Sequence, residues 1–248
     1  MSGHSKWSQI KRQKGVADKK KGQSFSKLAT QISLAARSGP AETNFKLRLI
    51  LEQAKKVNMP GVSIQRAIDR GLGKIEGHKI EEVLYEIYGP YGVTFLVEAA
   101  TDNRNRTTSE IKNILSKADG KLAEGGGVKY LYEKNGEIII KITPENQDDL
   151  ELLAIDAGAK DIQQEENILI IQTNIENLQK VKQELEKNEA IIEEAKLSYQ
   201  PKVSVFIDDS EKVQKILNLA NALEEVDEVV SVSSNFDISE NILRSLTS

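Results

Sequence analysis

The sequence predicts an α+β fold: an N-terminal three-helix domain followed by two ferredoxin-like α+β domains, one inserted in the other. Three observations lead there. Apolar residues recur at helical spacing over the early part of the chain; beyond a Gly-rich passage from Gly71 to Gly77 the pattern changes to strands alternating with helices; and residues 137 to 199 run strand, helix, strand, strand, helix, strand, the order of a ferredoxin-like unit.

The helical part begins after a polar, lysine-rich stretch from Met1 to about Gly22, too poor in apolar residues to form a core alone. Phe25, Leu28, Ala29, Ile32 and Ala36 define a first helix that Gly39-Pro40 stops. A second runs from about Glu42 to Val57. A third places Ile64, Ala67 and Ile68 on one face, with Ser63 as its cap and Gly71 just after its end.

Strands are predicted at 83 to 88, 93 to 100, 127 to 133, 137 to 143, 161 to 164, 167 to 173, 190 to 199, 203 to 208 and 228 to 234. Helices between them are marked by Ile111, Ile114, Leu115 and Ala118, by Leu150, Leu153 and Ala157, by Ile175, Leu178, Val181 and Leu185, and by Val213, Ile216, Leu217 and Ala220. Thr173 with Glu176 has the spacing of a capping box. Strand 93 to 100, helix 105 to 118 and strand 127 to 133 make one half of the outer domain; strand 203 to 208, helix 210 to 224 and strand 228 to 234 make the other. The boundaries that follow are 1–78 for the basic arm and helical domain, 79–134 plus 202–248 for the discontinuous domain, and 135–201 for the inserted one. One continuous sheet, turning at Asn135-Gly136, is the competing arrangement.

Composition narrows the function. The chain has no cysteine, so disulfides and thiolate zinc sites are excluded, and no apolar run approaches the roughly 20 residues of a membrane span. The expectation is a cytoplasmic protein that does not engage a membrane. The formal net charge of −4 hides a division: Met1 to Lys74 has 16 Lys and Arg against 4 Asp and Glu, while the remainder has 18 against 34. Such polarity steers a polyanion to one end of the chain.

The basic stretch GHSKWSQIKRQKGVADKKKGQSFSK offers Lys6, Trp7, Lys11, Arg12, Lys14, Lys19, Lys20, Lys21 and Lys27, to which Arg66 and Arg70 of the third helix are added as candidate nucleic-acid contacts. Lysines on a segment of this kind neutralise phosphates and release counterions, so binding is strongly salt-dependent and reads little sequence. Trp7, the only tryptophan, either stacks on an unpaired base or anchors the arm on the helical domain. TDNRNRT at Thr101 to Thr107 lies between a strand and a helix, where Arg104, Arg106 and the amides near Thr107 and Thr108 either receive a phosphate or serve a helix cap. The run Gly125 to Gly127 lacks the spacing and lysine of a nucleotide-binding loop and is read as a flexible turn.

An enzyme needs a nucleophile, base or metal site, and the supply is poor: His4 and His78 have no partner at ligand spacing, and the carboxylates of residues 145 to 195 fall on polar faces. The expectation is a non-enzymatic protein without cofactor or metal. A module whose acidic α+β domains bind a basic partner is the alternative.

The sequence resembles the YebC family, which includes the mitochondrial translational activators of cytochrome oxidase subunit one. The resemblance rests on GHSKW at Gly3 to Trp7, the following IKRQK, NMP at Asn58 to Pro60, IQRAI at Ile64 to Ile68, YEIYGP at Tyr85 to Pro90 and, most specifically, TDNRNRT. Agreement at Ser116-Lys117, at Ala157 to Asp161 and in LEEVDEV extends it over essentially the whole chain. Tyr91 departs from the glycine common in the family, and GKLAEGGG at Gly120 to Gly127 replaces a GGNLG-like loop. The resemblance implies a helical domain followed by two α+β domains, one inserted in the other. It also implies a regulator of gene expression, either a DNA-binding transcriptional regulator or a translation factor acting on ribosomes, including those stalled on proline-rich sequences. The partner is accordingly promoter DNA or ribosomal RNA.

Overall fold

The structure is a computed structural model that describes residues 21–75 and 80–247. Three helices open it: α1 (Lys21–Ala36), α2 (Phe45–Lys56) and α3 (Gly61–Gly71). Helix α1 packs against both others, burying Leu28, Ile32, Ala35 and Ala36 with Leu47, Ile50, Ala54, Met59 and Ala67. Full burial of a side chain such as Ile32 stabilises by roughly 1.5–3 kcal/mol. Asn44 ties the first corner together: its side-chain oxygen caps α2 by accepting from Leu47 N–H, and its amide donates to the carbonyls of Ala35 and Gly39. Asn58, in the left-handed region at φ 58°, makes the second corner. Ser63 does not cap α3. Its own amide already bonds to the Pro60 carbonyl, so the helix starts at Gly61, and Gly71 is its last residue rather than the one beyond it.

Helices α1 and α3 cross closely because the contact is made of small residues. The Ser33 hydroxyl donates to Ala29 O and Ala67 O, and a Cβ on Gly71 would lie 2.2 Å from Ser33 O. Backbone there has no room to yield.

The remaining elements are β1 (Glu81–Tyr88), β2 (Thr94–Thr101), α4 (Arg104–Ser116), β3 (Lys121–Leu122), β4 (Tyr132–Lys141), α5 (Gln147–Ala157), β5 (Ala159–Glu165), β6 (Ile168–Thr173), α6 (Leu178–Lys187), β7 (Ile191–Pro201), β8 (Val205–Ile207), α7 (Ser210–Glu225), β9 (Val229–Ser234), β10 (Phe236–Ile238) and α8 (Glu240–Thr247). The architecture is α+β, with the helical domain followed by two ferredoxin-like domains, one inserted in the other. By its internal contacts the chain divides into two compact units, residues 133–200 and the described residues that flank them.

Within residues 133–200 the sheet order is β5-β6-β4-β7, with β6 antiparallel to both β4 and β5. Ile138 and Ile140 share the face on which Gly136 lies against Leu178 of α6; Ile139 clusters with Ile168 and Ile170 on the other. Asn135-Gly136 is strand interior rather than a hairpin turn. Nor do Thr173 and Glu176 form a capping box: the Thr173 hydroxyl bonds to Asn174 O, and a 3-10 turn at Ile175–Asn177 precedes α6. Half-buried Lys196 sits 3.3 Å from buried Glu137 and 2.7 Å from Glu194; burial disfavours its charge, but the two carboxylates outweigh that and raise its pKa.

In the other unit the sheet order is β3-β1-β2-β9, with α4 and α7 over one face and α1 packed on β2 and β9. Two elements differ from the sequence reading. The place beside β2 goes to β1, which pairs with it along its whole length through the Gly89 to Gly92 turn, while β8 pairs in parallel with β10. Residues 127 to 131 are not strand, because a carboxylate has claimed their amides. Glu86, buried on β1, accepts from Gly126 N–H at 2.6 Å and from Val128 and Lys129 N–H at 2.7 Å each. The glycine run is therefore a fixed turn, not a flexible one.

Burial alone would raise the Glu86 pKa, but the three amides and the Lys129 charge together hold it below the ordinary 4.5. Its stabilisation is thus present above that value and lost as the pH falls through the lower, folded one. Replacing Glu86 by Gln should cost about 2 kcal/mol at neutral pH, since an amide cannot accept from all three donors, and should flatten the acid side of the stability curve. Chemical denaturation across a pH series checks both. Gly71→Ala should cost about 2 kcal/mol in the same assay, whereas Gly61→Ala, with open space around its Cβ, should be near neutral.

Candidate nucleic-acid interface

Residues 21–75 carry ten Lys and Arg against three Asp and Glu. Their packing decides which of these charges face solvent. On α3 the inward positions are Ile64, Ala67, Ile68 and Gly71, so Val62, Arg66 and Arg70, four residues apart, form one outward stripe. Val62 is 83% exposed, too open for a core residue. Arg66 and Arg70 are exposed and make no ion pair among the described residues. Helix α2 ends in exposed Lys55 and Lys56, followed by Val57, just before the turn that leads into α3. Cations at a helix C-terminus are favoured by its dipole. Lys74, after α3, is held by Asp69 at 3.4 Å.

The other sequence-predicted contacts have different fates. Lys6, Trp7, Lys11, Arg12, Lys14, Lys19 and Lys20 lie outside the described residues, as do His4 and His78. Lys21 is the first residue of α1. Lys27 points toward the sheet domain and donates to the Glu224 carbonyl of α7 at 2.5 Å. Arg37 and Arg48 are likewise spent on carbonyls, those of Ile80 and of Ala41 and Glu42.

The TDNRNRT segment is organised as a helix cap. Asn103 accepts from Arg106 N–H at 3.1 Å, and the buried Thr107 hydroxyl bonds to Thr101 Oγ1. The Arg106 guanidinium bonds to Glu228 at 2.5 Å and to Asp102 at 2.9 Å, Glu228 being the larger cause of its raised pKa. Arg104 is exposed; its carbonyl accepts from Thr108 Oγ1. The structure therefore brings Arg66 and Arg70 together, while Arg106 is engaged with the start of β9. Sequence reasoning passed over Lys55 and Lys56, whose signal was a basic pair at a helix end.

Known proteins match this chain along its length. Residues 5–74 match the family described as TACO1/YebC protein N-terminal domain, and residues 80–236 match TACO1/YebC second and third domain. The chain belongs to the TACO1/YebC family. Its similarity to YebC-family relatives is high. A protein of Aquifex aeolicus named probable transcriptional regulatory protein is 46% identical over 246 residues, covering 98% of this chain and 99% of the relative. One of Halothermothrix orenii, with the same name, is 42% identical over 251 residues, covering 100% and 99%. The crystal structure of the conserved hypothetical protein Aq1575 from Aquifex aeolicus superposes with a TM-score of 0.83 at 45% identity, covering 90% of this chain and 93% of that one. The TACO1/YebC relatives are thus named for regulation of gene expression, and their similarity spans all the elements above. Among the described residues no helix is long and apolar enough to cross a membrane.

Proposed function

We propose that this protein is a nucleic-acid-binding regulator of gene expression, acting by binding rather than turnover, whose helical domain meets the phosphate backbone. The observation that carries this reading is the outward stripe of α3, where Arg66 and Arg70 stand one turn apart without carboxylate partners among the described residues. Guanidinium groups placed this way bind phosphate oxygens directionally, and Lys55 and Lys56 at the end of α2 add to the positive charge of the same domain. The arm residues Lys6, Lys11, Arg12, Lys14, Lys19, Lys20 and Lys21, with Trp7, extend the same basic character along the sequence. The names of the relatives agree with a regulatory role. Phosphate contact serves DNA and RNA alike, so the surface suits both a transcriptional regulator on promoter DNA and a translation factor on ribosomal RNA. Of these we favour the ribosome, since an arginine stripe that meets backbone does not by itself read bases. Arg104 is an accessory contact, and Arg106 contributes only after release from Glu228.

A second reading has its own support. Residues 133–200 carry 16 Asp and Glu against seven Lys, a charge that repels nucleic acid and suits a basic protein partner. The two readings are compatible.

Fluorescence anisotropy with a ribosomal RNA fragment and with duplex DNA tests the first. Arg66→Glu/Arg70→Glu should weaken binding at least about tenfold on all sequences alike and reduce the salt slope by roughly 2, with the melting temperature unchanged. Unchanged affinity would place the contact surface elsewhere. Crosslinking in cells followed by sequencing of the attached nucleic acid separates the targets; promoter DNA in place of ribosomal RNA would overturn the preference for the ribosome.

A further inference from the structure

Beyond the helical domain, tyrosines and lysines gather around a strained turn. Tyr88 ends β1 and Tyr91 lies in the 3-10 turn Pro90–Gly92; they are 37% and 41% exposed. Tyr91 has φ 59° and ψ 26°, a left-handed conformation that glycine adopts freely and that is rare for a bulky side chain. The turn is held by Gly89 N–H bonding to Val93 O and Val93 N–H bonding to Pro90 O. The Tyr91 ring stays partly exposed despite the strain, a mark of a side chain presented for another purpose.

A lysine lies beside each ring. Lys121 Nζ lies 5.7 Å from the Tyr88 ring centre and Lys212 Nζ lies 5.6 Å from that of Tyr91, while the Tyr91 side chain is the largest cause of a raised pKa at Lys215. The Tyr88 hydroxyl donates to Gly127 O, which fixes the ring against the turn that Glu86 anchors, close in sequence to exposed Lys129. The carboxylates of the neighbourhood are Asp209, which caps α7 and lies 3.7 Å from Lys212, and Asp119 and Glu211, which act on Lys215. Partly exposed π-faces with an ammonium group beside each have the chemistry of surfaces that bind single strands, where bases stack on aromatics and phosphates meet the cations.

We infer that Tyr88 and Tyr91, with Lys121, Lys212 and Lys215, form a stacking platform for unpaired bases of single-stranded nucleic acid. The platform rests on the nucleic-acid reading above but uses different residues and a different interaction. It gives the protein a means of choosing unpaired over paired strands, which phosphate contact through Arg66 and Arg70 lacks.

The test compares wild type with Tyr91→Gly and Tyr91→Phe. The probes are a labelled oligodeoxyadenylate of about 12 nucleotides, within the range such surfaces track, and the same oligomer with abasic sites. Tyr91→Gly should keep or raise the melting temperature, because it relieves the backbone, yet bind the oligoadenylate about tenfold more weakly. Its affinity for the abasic oligomer should be unchanged, and Tyr91→Phe should behave as wild type on both. If Tyr91→Gly binds oligoadenylate as tightly as wild type, or loses both oligomers equally, or if wild type ignores the oligoadenylate, no stacking occurs there. The Arg66 and Arg70 reading is decided separately, by the duplex and ribosomal RNA measurements on its own variant.

Discussion

Helix α1 is the element on which the helical domain is built. It packs on α2 and α3 through Leu28, Ile32, Ser33, Ala35 and Ala36 and on β2 and β9 of the sheet, so it is surrounded by its own chain on several sides. That constraint fixes the directions in which the other two helices can point their polar faces. Because α3 must bring Ala67 and Gly71 against Ser33, Arg66 and Arg70 have no choice but to face outward. The close approach of α1 and α3 and the cationic stripe of α3 are two faces of one helix: the small residues that permit the first determine the second.

The same economy governs the sheet domain, where a buried carboxylate does structural work a glycine run could not do alone. Glu86 collects three amides of residues 126 to 129, and the turn it fixes in turn receives the Tyr88 hydroxyl through Gly127 O. A negative charge inside the domain thereby positions an aromatic ring on its surface. The acidic residues are therefore not uniformly solvated: Glu86 and Glu137 are buried and satisfied, and Glu228 holds Arg106.

Much of this architecture was legible in the sequence, and the parts that were not share a cause. The helices announced themselves through Phe25, Leu28 and Ile32, or Val213, Ile216 and Leu217, because helical periodicity is local. Gly39-Pro40 and Asn44 also marked their corner locally. What the sequence could not show were partners far apart along it. Glu86 and Val128 are separated by 42 residues, Arg106 and Glu228 by 122, and Tyr91 meets Lys212 of α7, distant along the chain. The turn at 127 to 131 was therefore read as strand, and β1 was not seen to take the place assigned to residues 203 to 208, since both outcomes depend on which distant group reaches the backbone first. Of the candidate contacts, Arg66 and Arg70 were legible from helical spacing, whereas the engagement of Lys27 with Glu224 was not.

Opposite charge is sorted between parts of one chain, ten Lys and Arg against three Asp and Glu in residues 21–75 and seven Lys against 16 Asp and Glu in residues 133–200, and we propose that the basic part meets nucleic acid. Ultraviolet crosslinking of the full-length protein to bound nucleic acid, followed by mass spectrometry of the crosslinked peptides, tests it directly. The account predicts adducts on peptides from the helical domain, those spanning Lys55 to Lys74 among them, and none from residues 133–200. Adducts concentrated on residues 133–200, with the helical domain clean, would contradict it.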